Sequence, residues 1–416
     1  MSTRGEHLVR ADRRFATGGG LVARLAAPAF SKVLDEIDER LACGGIRLTL
    51  PGGRTREVGF RVRGPAAVVN LRSWMALVRL ATSGSVGWYK AWTLGEWSSP
   101  DPVAIFELFS ANAAPLGNIG RAKGLSRWVN RLAHRLRDNA PRKAKRNIAA
   151  HYDLGNDFYS AWLDPTMTYS AARFASPGQP LEDAQLNKVG TLLDRLELKP
   201  GDRLLEIGCG WGTLAIEAAR RGASVVGLTL SREQKDWAER KIAAAGLADR
   251  IEIRLEDYRH TSEAFDAVAS VEMVEAVGQR WWGAYLDAIA RNLRAGGRAA
   301  LQFISIDHDI FEGYARGADF IQTYIFPGGC LLDEPRFETL ARERGLSWQD
   351  RDGFRLDYAE TLKQWRQRYD AAVARGDLRG FAAEFHDLWR YYLMYCEGGF
   401  RGGAIDVAQV TMVRRS

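Results

Sequence analysis

The stretch Leu204-Leu205-Glu206-Ile207-Gly208-Cys209-Gly210-Trp211-Gly212 decides the fold. An apolar run ends in an acidic residue, and three glycines at alternate positions lead into a helical pattern over 213–220. That is a strand, a tight turn and a helix start. Glycine lets the backbone turn sharply and lets a ligand come close, because no Cβ intervenes. A dinucleotide-binding turn spaces its glycines G-x-G-x-x-G, so that a helix N-terminus meets a pyrophosphate. Here the spacing is G-x-G-x-G, Glu206 stands just before it, and no lysine marks a phosphate. An acidic residue at that point suits a ligand carrying an ammonium group. The pattern is that of an S-adenosylmethionine pocket.

Outward from this turn, strands and helices alternate. The strand candidates are 203–207, 224–229, 251–255, 267–271 and 298–306, with helices near 213–220, 231–245 and 281–292. Such alternation predicts a mostly parallel sheet covered on both faces, with ligands at the C-terminal ends of the strands. The tail 404–413 alternates and reads as a late edge strand. Residues 307–358 interrupt the pattern and read as a cover for the substrate pocket. The second strand runs into Thr229-Leu230-Ser231, so Thr229 stands where an acid would bind a ribose diol. Gln234 is a second polar candidate, and Ser231 reads as a helix N-cap. The third strand runs into Glu256-Asp257-Tyr258, which offers hydrogen bonds to an adenine amine and a ring to stack on it. The loop after the fourth strand, Ser270-Val271-Glu272-Met273-Val274-Glu275-Ala276-Val277-Gly278, faces the transferring methyl. It lacks the Asn/Asp-Pro-Pro-Tyr cluster that suits amine or nucleobase methylation.

At 416 residues the chain has room for more than one domain. No run approaches the roughly 18 apolar residues of a membrane span. Met1 to Arg14 is charged without a following apolar stretch, so export is not expected. Four scattered cysteines, with no CxxC pair, form neither a disulfide framework nor a zinc site, and the expected compartment is reducing. His308 between Asp307 and Asp309 is too sparse a donor set for a metal, and no metal is expected. A net charge of +7 favours an anionic partner, and thirteen tryptophans tilt that toward a lipid surface over nucleic acid. The division expected is a mixed N-terminal domain over 1–117, a basic linker over 118–147, and the alternating domain over 148–416. The first reads as a binding or scaffolding module. Within the linker, Leu125, Trp128, Val129, Leu132 and Leu136 recur at helical spacing among nine basic residues between 120 and 145. That describes either a helix lying on anionic phospholipid or a solvated linker helix.

Several motifs, in order, resemble the cyclopropane-fatty-acyl-phospholipid synthase family. They are His151-Tyr152-Asp153-Leu154-Gly155-Asn156-Asp157-Phe158, Leu163-Asp164-Pro165-Thr166-Met167-Thr168-Tyr169-Ser170, the glycine turn, 324–331, 391–396 and Phe400-Arg401. The resemblance covers residues 151 to the end, and the N-terminal domain fits the longer bacterial members. It implies an α/β fold with a class I methyltransferase, Rossmann-like, mostly parallel seven-stranded sheet beside a small α+β domain. The 307–360 region becomes the lipid-pocket insertion. S-adenosylmethionine is then the methyl donor, and a cis double bond in a phospholipid acyl chain at the bilayer surface is the acceptor. Carried over, Tyr169, Ser170, Gly208, Gly210, Thr229, Leu230, Gln234, Asp257 and Tyr258 are cofactor contacts, and Glu206 and Glu256 join them from the reading of the strand ends. The implied setting is cytoplasmic and peripheral to the inner membrane; association into a homo-oligomer stays open.

An alkene needs no side-chain base to attack a sulfonium methyl, but the resulting carbocation must be stabilised and must lose a proton. Aromatic faces serve the first need, with Tyr169, Phe303 and Tyr358 as candidates. For the second, the resemblance implies a bicarbonate held by a Cys, a Glu, a His and a Tyr. This chain departs from that set. The family's Tyr-Ser-Cys-Ala is Tyr169-Ser170-Ala171-Ala172, its Phe-Glu-His-Val-Gly is Val274-Glu275-Ala276-Val277-Gly278, and the strand histidine aligns with Gln302. Glu275 and Tyr358 remain, and Glu275 is a candidate base or anion holder. Cys396 lies in a family motif, although a thiol in such a place is more often a small hydrophobe. Losing a thiol and imidazoles costs an anion about 1–3 kcal/mol per hydrogen bond. The expected product is a methyl-branched unsaturated chain, of the kind that starts methyl-branched or furan fatty acids. Ring closure to a cyclopropane, with Gln302 as substitute donor, is the alternative. Methylation of RNA or a small molecule, or lipid binding without catalysis, are rival readings. The absence of a nucleic-acid module and the intact glycine turn weigh against them.

Overall fold

The computed structural model describes residues 4–9, 27–117, 154–317 and 319–415. The basic segment 120–145, and residues 151–153 of the first family motif, lie outside the described residues. Two compact units emerge. One is drawn from Met1–Arg137, Asp307–Pro327 and Arg379–Ile405, the other from Asp138–Ile306, Gly328–Leu378 and Asp406–Ser416.

The first unit carries a four-stranded sheet. Strands β1 (Gly45–Thr49) and β2 (Thr55–Gly59) form an antiparallel hairpin with Ile46 opposite Val58. The intervening Gly52 and Gly53 sit at φ 102° and 86°, the left-handed backbone such a turn needs. Strand β3 (Ala66–Leu71) joins β1 in parallel and β4 (Trp97–Ser98) closes antiparallel on β3. The glycine and aromatic-rich segment after residue 84 is largely helical, within Met75–Thr93, and Gly84 breaks that helix at φ 59°. Helices Pro102–Ala111 and Ala383–Gly402 cross closely because Gly398 and Gly402 lie one turn apart. A Cβ on either would stand within 2.4 Å of Phe106 Cβ or Glu107 O. Asn112 is fully buried and stitches the helix end to the loop before β1. Its Oδ1 accepts from Ala42 N (2.8 Å) and Cys43 N (3.1 Å), and its Nδ2 donates to Cys43 O (3.0 Å) and Leu108 O (2.9 Å).

The second unit is built on the seven-stranded, mostly parallel α/β sheet that the alternation predicts. Its strands are β5 (Arg203–Ile207), β6 (Ser224–Thr229), β7 (Ile251–Leu255), β8 (Phe265–Val271), β9 (Leu293–Ile306), β10 (Leu346–Gly353) and β11 (Ile405–Arg414). They run in the order β10-β11-β9-β8-β5-β6-β7. Strands β5 to β9 pair in parallel, and β10 is antiparallel to β11. Leu192, Leu204, Ala215, Val225 and Ala267 pack at the core of this sheet and its helices. Two expectations need correction. The tail strand is not an edge: Val407 to Met412 are all buried, including Gln409 and Thr411, so β11 has neighbours on both sides. The edge is β10, whose Gln349, Asp350 and Arg351 face solvent, as suits an unpaired strand edge. Residues 346–353 therefore belong to the sheet, and 307–327 to the first unit, so the interrupting stretch is not one continuous insertion.

Replacing Asn112 by Ala removes the partner of buried backbone groups around Cys43. We expect Asn112→Ala to lower stability by about 3 kcal/mol, read as a drop in thermal midpoint. A melting curve superposing on wild type would show the stitch to be idle.

Candidate active site

The turn after β5 holds Gly208, Gly210 and Gly212 at φ 84°, 51° and 87°. A Cβ on Gly208 would stand 2.7 Å from Met273 Cγ, and one on Gly212 would stand 3.0 Å from Ala238 Cβ. Those two glycines serve packing. At Gly210 a Cβ would meet nothing within 4 Å, so this glycine opens onto free space where a ligand can approach the backbone. Beside it Glu206 is buried, and its Oε2 has no partner. Desolvation pushes its carboxyl up to about 8, with the Lys188 ammonium opposing. An unmatched buried carboxylate oxygen next to an open glycine fits a ligand cation. The residues present therefore fit S-adenosylmethionine.

The other cofactor candidates line the neighbouring strand ends. Thr229 and Gln234 are buried and linked, Oγ1 to Oε1 at 2.9 Å, and Ser231 caps the next helix by accepting from Gln234 N at 3.3 Å. Leu230 lies between them, half-buried. Glu256 accepts from Thr261 Oγ1 at 2.7 Å. Asp257 is gripped by Arg259, Nε to Oδ1 at 2.8 Å, so its carboxylate already has a cation partner. The Tyr258 ring meets Tyr285 edge-on at 5.5 Å. Tyr169 joins a cluster with Tyr159 (5.4 Å), Trp162 (5.7 Å) and Trp365 (5.2 Å). Ser170 accepts from Lys188 Nζ at 2.6 Å.

At the end of β8 the centre is Glu272, which sequence reasoning did not single out. It is half-buried and held at φ 48°, a left-handed conformation costing a non-glycine residue about 1 kcal/mol. Its Oε1 accepts from Ala171 N (2.9 Å) and Gln302 Nε2 (2.8 Å), and its Oε2 from Tyr358 OH (2.8 Å). The Gln302 amide is oriented for this, because its Oε1 accepts from Gln409 Nε2 at 3.1 Å. Desolvation raises the Glu272 carboxyl, while the Ala171 N–H, Lys188 and the two side-chain donors pull it back. The donors that sequence reading assigned to a bicarbonate, Gln302 and Tyr358, are thus taken by a carboxylate of the chain itself. The site does not fit that anion.

Glu275 lies one turn on. Its Oε1 accepts from Ile304 N, its Oε2 is buried without a partner, and burial with the nearby Glu272 charge pushes it up to about 8. At neutral pH it is largely the neutral acid. Phe303 points to the opposite face of β9 from Gln302, against Trp348 at 5.7 Å and Phe337 at 6.4 Å, and serves the core. Cys396 belongs to the first unit, where desolvation holds its thiol far above the usual range and hence protonated. Cys209 is buried against Gly227, where a Cβ would stand 3.0 Å away, and all four cysteines are free. Lys188 is a second residue missed from sequence. It is buried and brought down to about 8 by desolvation, against the pull of Glu272, Asp164 and Glu206. Its signal was present: Leu181, Ala184, Gln185, Lys188 and Leu192 share one buried face of the helix Leu181–Asp194. Among the described residues no cluster of His, Cys, Asp and Glu could hold a metal ion, and no helix is long and apolar enough to cross a membrane.

Comparison with known proteins places these features. A family model described as mycolic acid cyclopropane synthetase matches residues 139–410. A tuberculostearic acid methyltransferase of Mycobacterium tuberculosis is 38% identical over 348 residues, covering 81% of this chain and 80% of its own. The cyclopropane-fatty-acyl-phospholipid synthase of Escherichia coli K12 is 38% identical over 268 residues, covering 64% of this chain and 66% of its own. A mycolic acid cyclopropane synthase solved with SAH and CTAB superposes with a TM-score of 0.61 at 32% identity, over 65% of this chain and 98% of that one.

Two carboxyls give separable expectations. A ligand ammonium at Glu206 lowers its pKa, so S-adenosylmethionine binding at pH 7 releases a proton. Calorimetry in buffers of different ionisation enthalpy reads this, and equal release by Glu206→Gln would remove Glu206 from that role. Glu275 has a folded-state value raised from 4.5 to about 8, so its contribution to stability falls as pH rises through that window. Glu275→Gln lacks this loss, and its thermal midpoint should gain on wild type from pH 5 to pH 8. A constant difference between the two melts contradicts the assignment.

Proposed function

Because this chain belongs to the mycolic acid cyclopropane synthetase family, and is an S-adenosylmethionine-dependent methyltransferase of fatty acyl chains, we propose that it methylates a cis double bond in a phospholipid acyl chain and releases a methyl-branched, still unsaturated chain. S-adenosylmethionine supplies the electrophilic methyl. The protein's own work is to hold that donor, seat the olefin, exclude water and direct one proton. Glu206 and the open face at Gly210 hold the donor's charged end, with Thr229, Gln234 and Tyr258 toward its nucleoside. Tyr169, Trp365 and Tyr358 form a run of aromatic rings, whose faces stabilise positive charge on the chain. Trp365 meets Tyr358 edge-on at 6.1 Å, which carries this run up to the Glu272 carboxylate.

The observation that carries the product assignment is the makeup of the group around Glu272. Ala171 and Gln302 stand where the family places a thiol and an imidazole, and the remaining donors face a fixed carboxylate. A fixed base reaches one set of hydrogens on the chain, and removing one from a carbon next to the cation leaves a double bond. The similar M. tuberculosis protein is named for methyl transfer and not for ring formation, which supports the same reading. The net charge of +7 supports an anionic bilayer surface as the place of work.

Lipids extracted from an expressing host decide the matter. The expected product gains one methyl carbon, keeps an olefinic proton signal and still reacts as an alkene. Upfield cyclopropane ring protons in its NMR spectrum would falsify the branched-chain assignment.

A further inference from the structure

The proton that leaves the methylated chain needs an acceptor, and the ends of β5 and β8 offer three glutamates, Glu206, Glu272 and Glu275. Glu206 sits beside the open glycine, matched to the donor's cation. Glu275 has a single backbone donor on one oxygen and an orphan second oxygen, an arrangement that favours its protonated form. Glu272 alone is given a full set of donors, from Ala171 N, Gln302 Nε2 and Tyr358 OH at 2.8–2.9 Å. Donors of this kind favour the charged form. It is also the residue the chain strains to place: φ 48° is a conformation glycine would adopt freely. The next residue, Met273, covers Gly208, so Glu272 lies directly beside the donor-binding turn.

We propose that Glu272 is the general base of this enzyme, a built-in carboxylate standing where an external anion would otherwise be held. This rests on the reading that an acyl-chain double bond is methylated. After transfer the chain carries a cationic carbon. A neighbouring C–H bond breaks, its electron pair forms the new C=C, and its proton bonds to a carboxylate oxygen of Glu272. Oε2 is the better placed oxygen, since it accepts only from Tyr358, whereas Oε1 already accepts from two donors. The proton then leaves to solvent between turnovers. Desolvation raises the Glu272 carboxyl and makes it a stronger base than an ordinary one, while Lys188 and the three donors oppose that rise. Gln409 acts through Gln302 as a positioning residue, by fixing which end of that amide faces Glu272.

The test uses the full chain, labelled S-adenosylmethionine and vesicles of oleoyl phosphatidylethanolamine and phosphatidylglycerol. Wild type should turn over equally in bicarbonate-free and bicarbonate-containing buffer. Glu272→Gln, close in shape, should bind S-adenosylmethionine as wild type does yet lose about 10²–10⁴-fold in rate. Glu272→Ala should lose as much and recover in part with added formate or bicarbonate, which can enter the vacated space. Broadening of the ¹³C-bicarbonate NMR signal reads the same idea without turnover: it should appear with Glu272→Ala and be absent with wild type. The proposal is overturned if Glu272→Gln turns over as fast as wild type, or if wild type itself binds bicarbonate saturably. A wild type that binds S-adenosylmethionine but leaves unsaturated lipid unmethylated refutes the functional reading instead, and the ¹³C measurement still judges Glu272.

Discussion

A carboxylate taken out of water must be met by donors, and the interior of the second unit is arranged around that demand. Glu272 meets a backbone N–H, an amide and a phenol. The amide is set by Gln409, which also donates to Lys188 O at 3.2 Å. Lys188 in turn is fixed by Ser170 and offsets the charges of Glu272, Asp164 and Glu206. The chain of contacts runs from the last strand, through β9, to the helix Leu181–Asp194 and the segment before it. Removing one member would leave a buried polar group unmatched, at about 1–3 kcal/mol each. This explains why polar residues sit at buried positions of β9 and β11, where an apolar residue would pack as well.

Sequence alone was most informative where backbone geometry and residue type coincide. The glycine turn could be read because three glycines at alternate positions have few other uses, and the bounds of β5, β6 and β7 follow from short apolar runs. Gln302 and Tyr358 were found through family motifs. Glu272 was not, because its meaning lies in a left-handed backbone and in three partners 30 to 101 residues away. Lys188 was passed over because a lysine on a helix reads as solvated, although its helical face is otherwise buried. The sheet edge was misread for a related reason. Polar residues in β10 mark exposure, whereas Gln409 and Thr411 in β11 are buried and hydrogen-bonding or packed, and the two look alike as letters.

The same contrast separates the three carboxyls of the site. Each is a glutamate drawn out of solvent, yet the number of donors facing it differs. One with an orphan oxygen near an open glycine is prepared for a ligand's positive charge. One with a lone backbone donor is held as a neutral acid. One with three donors has its charged form matched by hydrogen bonds. Environment, and not residue type, assigns the work.

The make-up of the first unit bears on how the chain comes into being. Its close helix crossing at Gly398 and Gly402 joins distant stretches of chain: Ser110 and Gly399, hydrogen-bonded across it, are 289 positions apart in sequence. The hairpin closes through a short turn, whereas the helix Pro102–Ala111 meets this partner only by closing a long loop, which costs more entropy. Because each unit is assembled from separated stretches of the chain, no single cut in the sequence parts one from the other.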